Sequence, residues 1–149
     1  MRITISTPQG QPFVLADDAA PRVLTPGAFI NGIGGTIREG FRPAQARMVQ
    51  QTNLPRAPYA FQAPRYNLRN TLAFTVQRTF NTVATCLLFL SNHCDLIPTQ
   101  GELQLTQPGS QSLWLPNALL QTVACVEHTG VRCVIQYQFT APGPWQQNP

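Results

Sequence analysis

Lysine is absent from this sequence of 149 residues, and all ten basic residues are arginine. A GC-rich genome is the bland cause. The physical consequence is a rigid, weakly hydrated donor fork that suits interfaces and phosphates better than lysine does. Charge of any kind is scarce: 11% of residues carry it, against about a quarter in ordinary soluble domains. A free-standing monomer covers itself with Lys, Glu and Asp. This chain uses Gln, Asn, Thr and Ser, and interfaces are poor in Lys, Glu and Asp. Much of its surface is therefore expected to be covered by neighbours. No apolar run approaches the ~20 residues of a membrane span. Met1-Arg2-Ile3-Thr4-Ile5 alternates polar and apolar, with no apolar stretch behind it, so no signal peptide and no secretory export are expected. Folding is expected in a reducing compartment. The net charge of +4 permits contact with nucleic acid without arguing strongly for it.

What is present divides into three zones and a tail. Residues 1–16 hold two short apolar runs around the turn-forming Thr7-Pro8-Gln9-Gly10-Gln11-Pro12, which predicts a β-hairpin. Residues 17–69 carry Pro21, Pro26, Pro43, Pro55, Pro58 and Pro64, and seven of the ten arginines. Short strands are possible at 28–30 and 36–38. A brief helix fits 43–51, with Pro43 at its first position. Otherwise there is no sustained periodicity. Yet Phe29, Ile30, Ile33, Ile37, Phe41, Leu54, Tyr59, Phe61 and Tyr66 lie here, and disordered linkers are poor in such residues. An extended arm that orders against other subunits is expected.

Residues 70–141 are clearly patterned. Leu72, Phe74 and Val76 alternate with Thr71, Ala73, Thr75 and Gln77 as a half-buried strand. Asn81 or Thr82 can cap a helix over about 81–94, with Val83, Cys86, Leu87, Leu90 and Cys94 as its apolar stripe. Strands follow at 102–106, at 112–115 (ended by Pro116), at 119–127 and at 131–140. In the last, Val131, Cys133, Ile135, Tyr137 and Phe139 alternate with polar residues. The order is β-α-β-β-β-β, and 142–149 is a loose tail. The fold class is mainly β: an antiparallel β-sandwich or barrel-like sheet with one flanking α-helix, plus a long extended N-terminal arm.

Candidate chemistry is thin. Cys86, Cys94, Cys125 and Cys133 lack the short spacing of a zinc knuckle, and buried free thiols are the expected state. A three-residue loop at 128–130 would set Cys125 opposite Cys133. A two-residue loop at Thr129-Gly130 instead pairs Glu127 with Arg132 and Gln121 with Gln138. It sorts polar from apolar better, so no disulfide is expected. His93 lies near the helix C-terminus, where the dipole favours an imidazolium; His128 lies in a turn. Nothing makes base and nucleophile converge. Gly32-Ile33-Gly34-Gly35 has no Lys behind it and reads as a flexible turn, not a phosphate loop. The acidic residues are scattered singly apart from Asp17-Asp18. No catalytic, metal or cofactor residue is assigned.

The arginines have two readings. Tyr59, Phe61 and Tyr66 interleave with Arg56, Arg65 and Arg69, the composition of a single-strand stacking surface. Seven arginines over some fifty residues are not a dense cluster, however. The preferred reading makes Arg22, Arg38, Arg42, Arg47, Arg56, Tyr59, Phe61, Arg65 and Arg69 inter-subunit contacts.

One further pattern is the run Tyr66-Asn67-Leu68-Arg69-Asn70-Thr71-Leu72-Ala73-Phe74-Thr75-Val76-Gln77-Arg78. It is followed by a helix and then Leu96-Ile97-Pro98-Thr99-Gln100-Gly101-Glu102-Leu103. Trp114-Leu115-Pro116-Asn117-Ala118 and the run from Gly130 to Phe139 come later. Over residues 66–141 this resembles small tail proteins of tailed bacteriophages, in the group sharing the tail-tube and distal-tail fold. The resemblance implies a β-sandwich flanked by one helix, and hexameric rings around a channel that dock on neighbouring tail proteins. It implies DNA at most in transit, no membrane and no cofactor. It places the protein in the virion tail after synthesis in the host cytoplasm.

Overall fold

The computed structural model describes residues 1–6, 9–18, 31–39, 47–48, 51–53, 60–62, 66–67, 70–107 and 109–147. Two strands, β1 (Arg2–Ser6) and β2 (Pro12–Asp17), form the N-terminal hairpin. Next come β3 (Thr36–Glu39), β4 (Arg47–Met48), β5 (Gln51–Asn53), β6 (Ala60–Gln62), β7 (Tyr66–Asn67) and β8 (Asn70–Thr79). Helix α1 (Val83–Leu96) leads to β9 (Gln100–Thr106), β10 (Leu113–Thr129) and β11 (Arg132–Ala141). Seven strands make one sheet in the order β2-β1-β9-β10-β11-β8-β3, with every neighbouring pair antiparallel.

The two edges of this sheet meet. Gly32, just ahead of β3, bridges Val14 of β2, and the Asp17 amide donates to the Gly35 carbonyl at 2.9 Å. The sheet is therefore barrel-like, and closure removes edges that would otherwise seek partners. The 32–35 segment is a packed seam, not the flexible turn expected. Ile33 is buried, and Gly32 holds φ +73°, where a Cβ would sit 2.3 Å from the Val14 carbonyl oxygen. Only glycine fits there without the backbone moving.

Alternation fills the barrel. Leu72, Phe74, Val76 and Arg78 of β8 point inward, as do Cys133, Ile135, Tyr137 and Phe139 of β11. Ile3, Ile5, Phe13, Leu15, Leu103, Leu105 and Leu115 complete the interior. Each large side chain so buried contributes about 1.5–3 kcal/mol. Thr82 caps α1 by accepting from the Thr85 amide at 3.1 Å. Ile97 is extended, as a residue before proline must be, and ends the helix. The core face of α1 is Cys86, Phe89 and His93. This corrects the expected stripe: Val83, Leu87 and Cys94 are exposed.

Two expected breaks and one expected helix are also corrected. Pro116 does not end a strand, because β10 runs through it on a bulge between Leu115 and Ala118. The bulge accommodates the missing amide, and Asn117 takes φ 57°. The β10–β11 turn is at Gly130-Val131, one residue later than expected, because Gly130 supplies the positive φ. Thus Cys125 faces Ile135 and His128 faces Cys133. Bulges at Leu120/Thr122 and Cys125/Glu127 then return the far end to the expected register, with Leu120 opposite Phe139. Within 43–51, the described Arg47–Met48 and Gln51 are strand, not helix.

Those strands belong to one long hairpin. β4 pairs with β7 and β5 with β6. Arg47 lies eight residues beyond Glu39, and its partner Asn67 lies eight before Thr75, the partner of Glu39. The β3–β8 register is thus kept, slipping by a single residue before Asn53 meets Ala60. The base of this hairpin is built into the barrel, and among the described residues β4 and β7 pair only with each other, as do β5 and β6.

Candidate functional site

Large apolar side chains that stand exposed among the described residues fall on two elements. Val83, Leu87, Leu88 and Leu96 are on α1, and Leu119 and Val126 are on β10. The composition of the helix explains half of this. Its run Val-Ala-Thr-Cys-Leu-Leu-Phe-Leu is apolar on more than one side, so a single core-facing stripe cannot bury all of it. Cys86, Phe89 and His93 turn to the barrel. Val83 and Leu87, one turn apart, are 48% and 50% exposed, with half-buried Leu90 and exposed Cys94 continuing their row.

The strand explains the other half. β9 pairs with β10 from Leu113 only as far as Leu119. Beyond that point β10 has β11 on one side and, among the described residues, no strand on the other. Val126 is 54% exposed there and Cys125 is also exposed. α1 packs beside β10. An apolar helix row and a half-paired strand therefore lie side by side, two features that protein association consumes.

The tip of the β10–β11 hairpin is charged and self-satisfied. Glu127 accepts from Arg38 of β3 at 2.9 Å and from Arg132 at 2.6 Å. The Arg38 hydrogen bond, helped by both positive charges, holds the Glu127 carboxyl below its ordinary range. Glu127 and Arg132 are thus paired, although they are not directly opposite as expected.

Of the nine expected contact residues, Arg38 is engaged within its own chain. Arg47 and Phe61 are placed on β4 and β6 of the long hairpin. Arg22, Arg42, Arg56, Tyr59, Arg65 and Arg69 lie outside the described residues.

The residue that sequence reasoning passed over is Arg78. It is buried, donating from Nε to the Ile33 carbonyl at 2.9 Å and from an Nη to that of Leu15 at 2.6 Å. Its guanidinium carbon lies 5.0 Å from the Phe89 ring and 5.7 Å from that of Tyr137. Arg78 therefore ties β8, β2 and the seam together. The signal was in the alternation: Leu72, Phe74 and Val76 face inward, and Arg78 is next in that series.

Its neighbour His93 is the second correction. The dipole at the helix end does not keep an imidazolium here. Burial, with the Arg78 charge added, drives its pKa down to about 2, so the ring is neutral and shares a hydrogen bond with the Tyr137 hydroxyl at 2.5 Å. Burial likewise pushes Tyr137 and Cys133 up to about 12. These groups are held in their neutral forms and serve packing. His128 donates to the Gly130 carbonyl within its own turn at 3.0 Å. Among the described residues no three His, Cys, Asp or Glu side chains converge as a metal set, and no helix is long and apolar enough to cross a membrane.

No protein-family model matches the sequence, and no curated protein is similar to it. Solved structures share its fold. One is the phage P2 baseplate in its activated conformation with Ca, where a chain superposes with a TM-score of 0.65 at 7% identity, over 97% of this chain and 44% of its own length. The same baseplate with Sr gives 0.66 at 8% identity, with the same coverage. The chain thus spans less than half the length of the chains it matches, and at such identity the likeness is one of fold. The resemblance read from residues 66–141 is met at that level, by chains of a phage baseplate.

Proposed function

We propose that this chain is a structural, non-catalytic protein of a bacteriophage tail. It works in the baseplate as a ring of copies that also contacts neighbouring tail proteins. The observation that carries the reading is the fold shared with baseplate chains along nearly the whole sequence. The exposed apolar row of α1 and the half-paired end of β10 supply the contact face. The long hairpin, with Arg47 and Phe61 on its strands, is the arm that reaches a neighbour. The ring is hexameric, as the tail-protein resemblance implies, and DNA passes it only in transit. The protein is made in the host cytoplasm and ends in the virion tail.

Light scattering and negative-stain microscopy of the purified chain test this. The expected result is closed rings of six copies, in which alkylation of exposed Cys94 and Cys125 is slowed relative to a dissociated sample. Dispersed monomers that bind oligonucleotides with a steep salt dependence would replace it with the single-strand binding reading.

A further inference from the structure

The sequence sets one asparagine directly before a glycine, Asn31-Gly32, and no other. Such a pair is chemically labile, because glycine has no side chain to shield its own amide nitrogen. The fold puts this pair at the closure of the barrel. Asn31 is exposed and lines an open cleft with Arg2, Gln11, Pro12 and Val14. Gly32 bridges Val14. The fit is close: a Cβ on Gly32 would lie 2.3 Å from the Val14 carbonyl oxygen and 2.8 Å from its amide nitrogen. Arg78 holds the next carbonyl on each strand, that of Leu15 at 2.6 Å and that of Ile33 at 2.9 Å. Solvent therefore reaches the asparagine, while the glycine beside it is clamped.

We infer that Asn31-Gly32 is a covalent modification site, a deamidation site that the closed seam protects and an open seam exposes. The co-reactant is water. The Gly32 amide nitrogen attacks Asn31 Cγ and gives up its proton, and the side-chain amide leaves with that proton as ammonia. The bond formed closes a five-membered imide. Water then opens the imide. Attack at the side-chain carbonyl leaves aspartate, and attack at the main-chain carbonyl leaves isoaspartate. Nothing is oxidised or reduced. Ring closure has to rotate the peptide between Asn31 and Gly32, which the Val14 contact and the Arg78 clamp resist. The reaction therefore runs through molecules whose seam has opened locally. Both products fall on the closure. Aspartate adds a carboxylate to the cleft that Arg2 lines. Isoaspartate inserts one more backbone atom directly ahead of the residue that meets Val14. This inference does not depend on the phage-tail reading.

The test incubates the full chain in mildly alkaline buffer, native in one sample and unfolded in guanidinium chloride in the other. Peptide mapping by mass spectrometry follows the mass gained when an amide becomes an acid. In the unfolded sample Asn31 is expected to convert ahead of every other asparagine. In the native sample its conversion is expected to be slower by at least about tenfold. Arg78→Ala, which unclamps the seam, should bring the native rate back toward the unfolded one. Arg78→Lys, which keeps a charge and donors, serves if the alanine variant does not fold, and should accelerate conversion less. Asn31→Gln should abolish the product. An unfolded chain that converts Asn31 no faster than its other asparagines overturns the site. A native rate equal to the unfolded one, or one unmoved by the Arg78 substitutions, overturns the protection by the seam.

Discussion

The barrel is finished differently on its two sides. At the seam, β2 and the 31–35 segment meet backbone to backbone, glycine gives the close approach, and Arg78 holds both strands from inside. On the helix side, α1 turns a row of leucine and valine outward and β10 outruns its β9 partner. The seam pairs its backbone within one chain. The helix side leaves apolar surface and a strand edge exposed among the described residues. The fold closes backbone to backbone on one side and stays open on the other.

The largest expected effect tests the seam. Arg78→Ala removes donors to two buried carbonyls and leaves a void beneath Phe89 and Tyr137. A loss of about 3–5 kcal/mol in urea unfolding is expected, with faster hydrogen exchange at the Asp17 amide. A change below about 1 kcal/mol would mean that the seam does not depend on this residue.

Acid attacks the core between helix and barrel nearly as hard. The unfolded chain takes a proton on His93 below its ordinary 6.5, whereas the folded chain resists down to about 2. A depressed folded pKa means that this contribution is complete above pH 6.5 and is lost as pH falls. The slope is up to about 1.4 kcal/mol per pH unit, or about 3 kcal/mol by pH 4.5. His93→Gln, which can still bond Tyr137, should flatten the profile between pH 6.5 and 4.5. Glu127, also depressed, acts in the same direction but only below its ordinary 4.5, so the two windows separate. An unchanged slope in the variant would assign the acid sensitivity to other groups.

Glycine substitution compares the two sides within one chemistry. Gly32→Ala places a Cβ 2.3 Å from the Val14 carbonyl oxygen at φ +73° and should cost at least about 2 kcal/mol. Gly130→Ala, at φ +59° with nothing within 4 Å, carries only the left-handed penalty of about 1 kcal/mol. Equal losses by thermal melting would mean that the seam tolerates more room than its contacts imply.

The sequence made much of this fold readable, and the failures share a cause. Strands β8 and β11 and the α1 cap follow from period and capping residues, which are local. The face of α1 was misread because apolar residues cover more than one side of it. Nothing local says that Phe89 and His93, rather than Val83 and Leu87, turn inward; β11 decides that. Pro116 read as an end because a bulge is a property of two strands. The long hairpin was invisible because its register is inherited from β3 and β8, not written in its own weakly alternating residues. Arg78 was legible in principle. Its inward parity was plain, but a charged residue at the end of an apolar series is ordinarily taken as the point where burial stops.

The smallest expected change in folding belongs to the outer helix row, and it bears most on function. Val83 and Leu87 are about half exposed, so Leu87→Gln should move the unfolding midpoint by less than about 0.5 kcal/mol. If this row is the contact face, the same variant leaves the chain monomeric in light scattering while its circular dichroism stays that of the parent. That separates the two sides sharply, with seam substitutions unfolding the subunit and helix-row substitutions isolating it. A Leu87→Gln protein that loses stability as Arg78→Ala does would show instead that α1 is enclosed within its own chain. A stable variant that still forms rings would move the contact face off the helix and onto the long hairpin.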